Sequence, residues 1–258
     1  MSMSAVNGEV RRKQILLRAR DSGQVQVVQL AAEFGVAVET IRRDLQVLAE
    51  SGLLSRFHGG AIAVESGVFE TDLARRSTQF LAEKHRIAAE AVRRIGSAET
   101  VFIDEGYTPE LIAEMLPTDV RRTIVTAALP IAAKLSAVPA FTVYLAGGRV
   151  RSTTLGCVDS WAVSMVSSFT YDVTIIGANG ISLEHGLTTP DPAVAAVKEA
   201  ALSAARRRVF VGVHTKFGVS AFARFGRVEN LDHIVTDTYL ASSVMQRYAE
   251  RGPAVTRV

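Results

Sequence analysis

The sequence predicts a two-part α/β protein, in which a small helical unit with a short hairpin precedes a larger unit with a largely parallel sheet. In the first sixty positions, apolar residues recur at helical spacing between glycine turns. Beyond about residue 100, short runs rich in Val, Ile and Phe alternate with helical patterns, which favours parallel strands covered by helices. We expect domains at 1–62 and 73–258, joined by a linker over 63–72 that mixes Gly, Ser and acidic residues.

The composition is that of an ordinary globular protein, with 258 residues, 48% of them hydrophobic and 21% charged. The single cysteine, Cys157, excludes a disulfide within the chain and fits a reducing, cytoplasmic setting. The N-terminus lacks the apolar core of a signal peptide, and the most apolar stretch is interrupted by Pro130 and Lys134. We therefore expect a cytoplasmic protein without a membrane span. The histidines show no metal-ligand spacing, so we expect no metal and no cofactor.

The first two elements are helices separated by turns. A helical pattern starts near Glu9, carries Ile15 on its apolar side and stops at the turn residues 21–23. A second helical pattern over 25–36 contains apolar residues at i,i+4 spacing and reaches Gly35, where the chain must turn. Two short helices around a tight turn are typical of a helix-turn-helix.

A third helix follows this turn and carries the candidate DNA-contacting residues. Ile41, Leu45 and Leu48 form one inward stripe, which leaves Arg43 pointing away and Arg42 at the flank. Arginine can reach guanine or phosphate when such a helix lies in the major groove. The net charge is only +3, so DNA binding has to come from a local basic surface. The predicted contacts on this helix are Glu39, Thr40, Arg42, Arg43 and Gln46.

A short hairpin, or wing, is predicted after the third helix. Residues 53–58 alternate loosely between apolar and polar types and end at Gly59 and Gly60. Arg56 and His58 can meet the DNA backbone or minor groove there, and Gly59 joins them in the predicted contact set. An arginine pair by itself usually marks a solvated helix face. The helix order, the glycine turn and the wing together favour DNA binding.

These residues resemble the DeoR family of bacterial transcription regulators. That family's motif runs Val-Ser-x-x-Thr-Ile-Arg-Arg-Asp-Leu, then Leu-x-x-x-Gly and His-Gly-Gly. The matching residues here are Val36, Thr40–Leu45, Leu48, Gly52 and His58–Gly60. Ala37 stands where the family usually has Ser. If that serine caps the helix, its absence costs on the order of 1 kcal/mol.

The second unit is predicted to alternate strands and helices. After a long helix over Thr71–Arg94, we expect strands at Val101–Ile103, Thr123–Thr126, Phe141–Ala146, Val173–Gly177, Val209–Val213 and Ile234–Thr236. Helices are expected at Pro109–Leu116, Pro130–Ser136 and Asp191–Arg206. In open parallel sheets, ligands bind beyond the carboxyl ends of the strands. Glycine-containing loops follow four of the predicted strands, and a helix start next to one of them can offer N–H groups to an anion.

The predicted effector-binding residues lie in these loops. They are Asp104, Glu105, Gly106, Tyr107, Thr108, Thr126, Gly147, Gly148, Arg149, Asn179 and Lys216. Lys216 can supply a cation to a phosphate or a carboxylate. A single glycine after a strand is usually only a turn, but four such loops at corresponding strand ends favour a shared pocket.

The resemblance to the DeoR family extends through this unit and implies a sensor domain similar to ribose-5-phosphate isomerases. It implies binding of a phosphorylated sugar, with an unphosphorylated sugar, polyol or other polar metabolite as the alternative. The family's patterns in this unit are Asp-Ser-Gly-Ser/Thr-Thr, Val-Thr-Asn, Gly-Gly and Asp-x-Ser-Lys-Phe-Gly. The chain departs from them at Glu105, Tyr107, Ala127, Val213 and Thr215. Glu105 places a negative charge where a phosphate would approach, so it has to turn away, read hydroxyl groups or accompany a different ligand.

Three functions are consistent with these patterns. The leading one is a sequence-specific DNA-binding regulator, a repressor of carbohydrate-metabolism genes whose DNA affinity changes with a metabolite. Symmetric operators require paired DNA-binding heads, so we expect double-stranded operator DNA and a homodimer or homotetramer. The alternative is a sugar-phosphate isomerase-like enzyme fused to a DNA-binding domain, with Asp104 and Glu105 as the remaining candidate bases. A pure protein-interaction module is the third.

Overall fold

A computed structural model describes residues 8–51, 53–63 and 78–258. The chain divides into two compact units, Met1–Thr71 and Asp72–Val258. Of the predicted linker, only Ala63 is described, and it is the last residue of a strand. The rest of the linker, the start of the predicted long helix and Gly52 lie outside the described residues.

The N-terminal unit is a winged helix-turn-helix, as predicted. Its elements are α1 (Gly8–Ser22), β1 (Gln24–Gln26), α2 (Val27–Phe34), α3 (Val38–Glu50), β2 (Leu54–Phe57) and β3 (Gly60–Ala63). The strands form an antiparallel sheet in the order β1-β3-β2. A single core holds the unit together, and Ile15, Ile41 and Leu45 are fully buried in it. Helix α2 ends at Gly35, whose φ of +61° is a left-handed conformation that glycine adopts without strain.

One boundary in this unit differs from the prediction. The helical pattern expected over 25–36 begins with β1, so α2 starts only at Val27. Val25 is buried and pairs with Ala61 of β3. This pairing is a tertiary contact, and helical spacing alone does not reveal it.

The larger unit contains twelve strands and six α-helices among the residues described. They are α4 (Leu81–Ile95), β4 (Thr100–Ile103), α5 (Tyr107–Glu114), β5 (Arg122–Thr126), α6 (Leu129–Leu135), β6 (Phe141–Leu145), β7 (Arg149–Val150), β8 (Cys157–Val158), α7 (Asp159–Ser167), β9 (Val173–Ile176), β10 (Gly180–Ser182), β11 (Gly186–Thr189), α8 (Pro192–Ser203), β12 (Arg208–Val211), β13 (Ala223–Gly226), β14 (His233–Thr236), α9 (Ser242–Ala249) and β15 (Ala254–Arg257). Short 3-10 turns lie at His214–Lys216 and Val228–Asn230.

Seven of these strands form one parallel sheet in the order β15-β14-β12-β9-β4-β5-β6. Successive residues of a strand face opposite sides, so Val101 and Ile103 join one apolar core while Phe102 joins the other. Both faces are covered, which explains why the strand sequences read as continuous apolar runs. The predicted parallel α/β architecture is confirmed.

Each of the six predicted strands lies in this sheet, with ends shifted by at most two residues. The edge strand β15, the antiparallel sheet β10-β11-β13 and the β7-β8 hairpin were not predicted. The predicted long helix is wrong over 78–80, because Phe80 has a φ of 52° and α4 starts at Leu81. Among the described helices, none has the length and apolar character needed to cross a membrane.

Candidate functional site

The outer face of α3 presents the residues predicted to contact DNA. Because Ile41, Leu45 and Leu48 are buried, the opposite side of the helix faces solvent. Glu39, Arg42, Arg43 and Gln46 are exposed there, and Thr40 is half-buried. Arg42 Nη1 lies 3.3 Å from Glu39 Oε2, one turn away. In the described part of the chain, Arg43 makes neither a side-chain hydrogen bond nor an ion pair, so its guanidinium is available to a ligand.

Asp44, the acid next to Arg43, points away from the exposed face of α3. Its side chain is buried, and Asp44 Oδ2 accepts a hydrogen bond of 2.5 Å from Arg11 Nε. Arg12 Nη1 lies 3.3 Å from the other carboxylate oxygen. This ion pair fastens α1 to α3 and turns the acid next to Arg43 into the core. This ion pair was not predicted, although positions 41, 44, 45 and 48 share one helical face.

The wing is joined to α3 by a side-chain hydrogen bond and packs closely against β1 at a glycine. Arg56 Nη1 donates a hydrogen bond to Gln46 Oε1, and Gln46 Nε2 donates to Glu50 at 2.7 Å. A Cβ atom at Gly60 would lie 2.3 Å from the Val25 carbonyl oxygen, so no larger residue fits there. His58 and Gly59 are exposed at the tip between β2 and β3.

The second candidate site lies at the carboxyl edge of the parallel sheet. Along the chain, strands are added from β4 outwards to β6, and the next strand of the sheet, β9, lies on the other side of β4. The crevice between β4 and β9 is therefore the topological switch point, where open α/β sheets bind ligands. Asp104 follows β4, and Gly177 and Asn179 follow β9, so the sheet places these predicted residues around one crevice.

A buried ion pair occupies this crevice. Asp104 is 2% exposed, and its Oδ2 atom accepts hydrogen bonds from the Gly177 N–H at 2.9 Å and from Lys198 Nζ. Lys198 is itself buried and lies 3.3 Å from the Gly177 carbonyl oxygen. Lys198 was not among the predicted site residues, although it falls in the buried stripe of α8 with Val194 and Ala201. A lysine within an otherwise apolar stripe was the available signal.

Glu105 turns into a second network instead of facing the crevice as a bare charge. Thr154 Oγ1 donates to Glu105 Oε2 at 2.7 Å, and Arg151 Nη1 lies 3.6 Å from Glu105 Oε1. Arg151 is 8% exposed and also pairs with Asp191 at 2.9 Å. A Cβ at Gly156 would lie 1.7 Å from Glu105 Oε2, so the carboxylate fills the space that this glycine leaves. Arg151, which was not among the predicted effector residues, is therefore the cation nearest to Glu105 in this network.

The remaining predicted effector residues are dispersed around this edge. Asn179 is buried and accepts a hydrogen bond of 2.9 Å from Thr189 Oγ1. Thr126 is fully buried, and its hydroxyl accepts from the Ala128 N–H at 3.0 Å. Gly147 and Gly148 are exposed. Arg149 is exposed and pairs with Asp159, and this contact raises the pKa of Arg149 above its ordinary value.

The residues at the start of α5 are half-buried or buried. Gly106 precedes the helix with a φ of 116°, a conformation suited to glycine. Thr108 is half-buried in the first turn. Tyr107 is also half-buried, and the Lys84 ammonium lies 5.5 Å from the centre of its ring. The bulk of Tyr107 is therefore partly absorbed by contact with α4.

A histidine–aspartate pair lies at the carboxyl ends of β12 and β14, the strands that follow β9 in the sheet order. The backbone N–H of His214 donates a hydrogen bond to Asp237 Oδ2 at 2.7 Å, and the ring nitrogen Nδ1 of His214 lies 2.9 Å from Asp237 Oδ1. Burial alone would raise the pKa of Asp237, but the hydrogen bonds from His214 and from the Tyr239 N–H outweigh burial and lower it. Lys216 is half-buried in the same 3-10 turn.

The crevice is therefore lined by polar groups whose charges are balanced in pairs. It can read hydroxyl groups, and a ligand anion can compete with the carboxylates for Lys198 or Arg151. Across the described residues, no group of three or more His, Cys, Asp or Glu side chains is arranged to hold a metal ion.

Two family models match the chain. The DeoR-like helix-turn-helix domain matches residues 11–67, and the DeoR C terminal sensor domain matches residues 79–238. Among solved structures, ribose 5 phosphate isomerase A from Neisseria gonorrhoeae is 17% identical, with a TM-score of 0.37 over 53% of each chain.

Curated relatives match over nearly the full length. The glycerol-3-phosphate regulon repressor of Escherichia coli (strain K12) is 35% identical over 92% of this chain and 93% of its own. The HTH-type transcriptional regulator GlpR of Haloferax volcanii is 32% identical over 95% of this chain and 96% of its own. The HTH-type transcriptional repressor CsqR of Escherichia coli (strain K12) is 31% identical over 96% and 94%, respectively. From the two family models and these relatives, the chain belongs to the DeoR family of helix-turn-helix transcription regulators.

Proposed function

We propose that this protein is a repressor that binds double-stranded operator DNA through the outer face of α3 and the wing. The observation that carries the proposal is the opposite placement of neighbouring charges on α3. Arg42 and Arg43 face solvent, while Asp44 is buried against α1. A rigid helix with an outward cationic edge fits the major groove, where arginine reads guanine or holds a phosphate. The proposed contacts are Glu39, Thr40, Arg42, Arg43, Gln46, Arg56, His58 and Gly59.

Gln46 and Arg56 have a more specific role in this proposal. Their hydrogen bond joins α3 to the wing, so the two DNA-contacting elements approach the duplex as one body. Pre-organisation of this kind reduces the entropy lost on binding. The exposed ends of both side chains are still within reach of a phosphate.

We infer that the effector binds at the switch point between β4 and β9 and is a phosphorylated sugar or polyol. Lys198 and Arg151 are buried cations at this crevice, and Glu105 is held by Thr154 and Arg151. The charge of Glu105 therefore need not oppose an incoming phosphate, which removes the objection raised by its departure from the family pattern. The proposed contacts are Asp104, Glu105, Gly106, Tyr107, Thr108, Thr126, Gly147, Gly148, Arg149, Asn179 and Lys216, together with Arg151 and Lys198.

The relative from Escherichia coli is named as the repressor of a glycerol-3-phosphate regulon. Glycerol phosphate is therefore the first compound to test, beside sugar phosphates and the matching unphosphorylated polyols. Ligands that bind the native state raise its melting temperature, so a thermal-shift series ranks them directly.

We propose that the effector lowers operator affinity by changing the arrangement of paired DNA-binding heads. Such an effect requires a ligand that binds the two arrangements with different affinities. A two-fold symmetric operator requires at least a homodimer, and a homotetramer satisfies the same geometry. The protein would act in the cytoplasm, where its DNA is accessible.

We infer that the sensor binds its ligand without converting it. Isomerisation needs a carboxylate base that is free to take a proton from carbon. Asp104 is paired with Lys198, Glu105 with Arg151 and Asp237 with His214. An isomerase assay with a panel of sugar phosphates tests this inference, and turnover at ordinary enzymatic rates would overturn it.

The decisive experiment is a competition between a specific operator and random DNA at physiological salt, with and without effector. We expect operator affinity at least about a thousandfold above that for random DNA, a ratio typical of specific DNA-binding proteins. Equal affinities would leave a protein-interaction role as the better explanation. A specific complex that ignores every effector tested would contradict only the sensor part of the proposal.

A further inference from the structure

A cavity of about 530 Å³ lies at the amino edge of the parallel sheet, away from the crevice that we propose for the effector. It is bounded by the last turns of α8, the start of β12, strand β13 and the Val228–Asn230 turn. Strand β12 runs from Arg208 at this edge to Val211 at the carboxyl edge, so the cavity and the crevice lie at opposite ends of the sheet. We call it the amino-edge cavity, and its lining includes Arg208, Arg224 and Arg227. Its volume is that of an ordinary small-molecule site.

A β-bulge in β13 shapes one wall of this cavity. Arg224 is paired with Thr188 of β11, and Gly226 is paired with the preceding residue, Leu187. Phe225 is therefore an extra residue in the pairing. Consecutive residues of a regular strand face opposite sides of the sheet, yet Arg224 and Phe225 both line the cavity. Bulges re-aim side chains in this way and are frequent beside functional sites.

The arginines of the cavity have N–H groups to offer to an anion. Arg224 and Arg227 are exposed, and within the part of the chain that the structure describes neither forms an ion pair. Arg208 is held in place, because its Nε donates to the Leu202 carbonyl oxygen at 2.8 Å and its Nη1 lies 3.8 Å from Asp232 Oδ2. A guanidinium presents five N–H donors in a planar fork that matches the oxygens of a phosphoryl group.

Two carboxylates, Glu199 and Glu229, also line the cavity. Glu229 Oε1 lies 3.2 Å from Arg251 Nη1, so this ion pair balances the charge of Glu229. Glu199 is exposed and opposes an incoming anion. One opposing carboxylate does not cancel the arginines, so the cavity keeps a cationic surplus.

We propose that the amino-edge cavity binds a small anion that carries two phosphoryl groups. Arginines placed around one cavity can hold each phosphoryl group by its own bidentate contact. Phe225 and Leu202 are only 3% and 4% exposed, so the ligand is recognised through its phosphoryl groups and not by stacking on an aromatic face. Inorganic pyrophosphate, a nucleoside diphosphate and a sugar bisphosphate share this chemistry. The site is separate from the proposed effector site and does not depend on it.

Isothermal titration calorimetry of the full chain, without DNA, tests the site with inorganic pyrophosphate and inorganic phosphate at physiological salt. We expect pyrophosphate to bind at least about tenfold more tightly than phosphate, because phosphate fills one of the two positions. Arg224→Gln and Arg227→Gln should each weaken pyrophosphate binding at least about tenfold, the effect of losing charge-assisted hydrogen bonds. Glu199→Gln should instead strengthen it about two- to fivefold, because the opposing charge is removed. Titrations with ADP and fructose bisphosphate then distinguish the sources of the two phosphoryl groups.

Two control variants locate the binding. Arg247→Gln removes an exposed arginine of α9 and changes the net charge equally, and it should leave pyrophosphate affinity unchanged. Lys216→Ala, at the proposed effector site, should leave it unchanged as well. Circular dichroism and thermal midpoints establish that each variant folds.

Three results would overturn the inference: no measurable pyrophosphate binding, binding that survives both Arg224→Gln and Arg227→Gln, or binding that Lys216→Ala abolishes. The last result would place pyrophosphate in the effector crevice. Because these titrations use neither operator DNA nor an effector, their failure leaves the proposed repressor function intact, and a failed effector screen leaves this site intact.

Discussion

The two proposed binding surfaces handle charge in opposite ways. On α3, the cations Arg42 and Arg43 face solvent and the neighbouring acid Asp44 is buried. At the sheet edge, Lys198 and Arg151 are buried, and each is already paired with a carboxylate. The first arrangement attracts a polyanion from a distance, whereas the second recognises a small ligand only at contact range.

The difference has a physical origin in the size of the ligand. DNA stays in water and is met by an exposed surface, so unpaired surface cations cost the folded protein little. A metabolite is enclosed, and a buried charge without a partner destabilises the native state strongly. The paired charges at the sheet edge follow from this cost, and under the proposed function the ligand competes with carboxylates that already occupy the cations.

Removal of Lys198 should be the most damaging change at the sensor edge. Lys198→Met leaves Asp104 buried without its cation, and loss of one partner of a buried pair costs about 3–5 kcal/mol. Urea unfolding followed by circular dichroism measures this loss. The double variant Lys198→Met with Asp104→Asn should recover part of the stability, because no charge is then left unpaired. A loss below about 1 kcal/mol in the single variant would mean that Asp104 reaches solvent.

Asp44 provides the equivalent test in the N-terminal unit. Asp44→Ala removes the partner of the buried Arg11 and should destabilise this unit by on the order of 3 kcal/mol. Hydrogen exchange of the α1 and α3 amides reports local stability and should accelerate together in both helices. The amides of the large parallel sheet are the internal control and should keep their rates. Unchanged exchange in α1 would contradict a structural role for Asp44.

Substitution of Arg43, the neighbour of Asp44, should weaken operator binding without destabilising the protein. Arg43→Ala should leave the free energy of unfolding within about 0.5 kcal/mol, because the residue is exposed. Operator affinity should fall by about 1–3 kcal/mol if Arg43 contacts a base. Arg206→Ala, an exposed arginine of the sensor unit, is the matched control for gel-shift titration. An Arg43→Ala protein with full operator affinity would remove this residue from the proposed DNA contacts.

The sequence predicted the exposed face of α3 more completely than the side-chain pairs at the sheet edge. Helical periodicity fixes which way a side chain points, so the outward placement of Arg43 followed from Ile41 and Leu45 alone. The same periodicity also contained the inward placement of Asp44. Its partners could not be identified, because they lie on α1 and depend on how two helices pack.

At the sensor edge, the parallel sheet and its carboxyl-end loops were predictable, but the partners across them were not. Lys198 and Asp104 are 94 residues apart, and only the strand order brings them together. Arg151 was missed for a different reason, since the two-residue strand β7 gives too short a pattern to distinguish its orientation from that of Arg149. Pairings across a sheet and the direction of a short hairpin are tertiary properties.

The smallest expected effect concerns pH and the Asp237–His214 pair. The pKa of Asp237 is lowered in the folded protein, so its contribution to stability is present above its ordinary pKa and is lost as the pH falls through the lowered value. Asp237→Asn cannot titrate, so the decline in unfolding free energy below about pH 4 should be shallower than in the wild type. Denaturant titrations at several acidic pH values measure the slope. Asp232→Asn, which changes a half-exposed carboxylate at the opposite end of β14, is the control, and an unchanged slope in Asp237→Asn would assign the acid sensitivity to other groups.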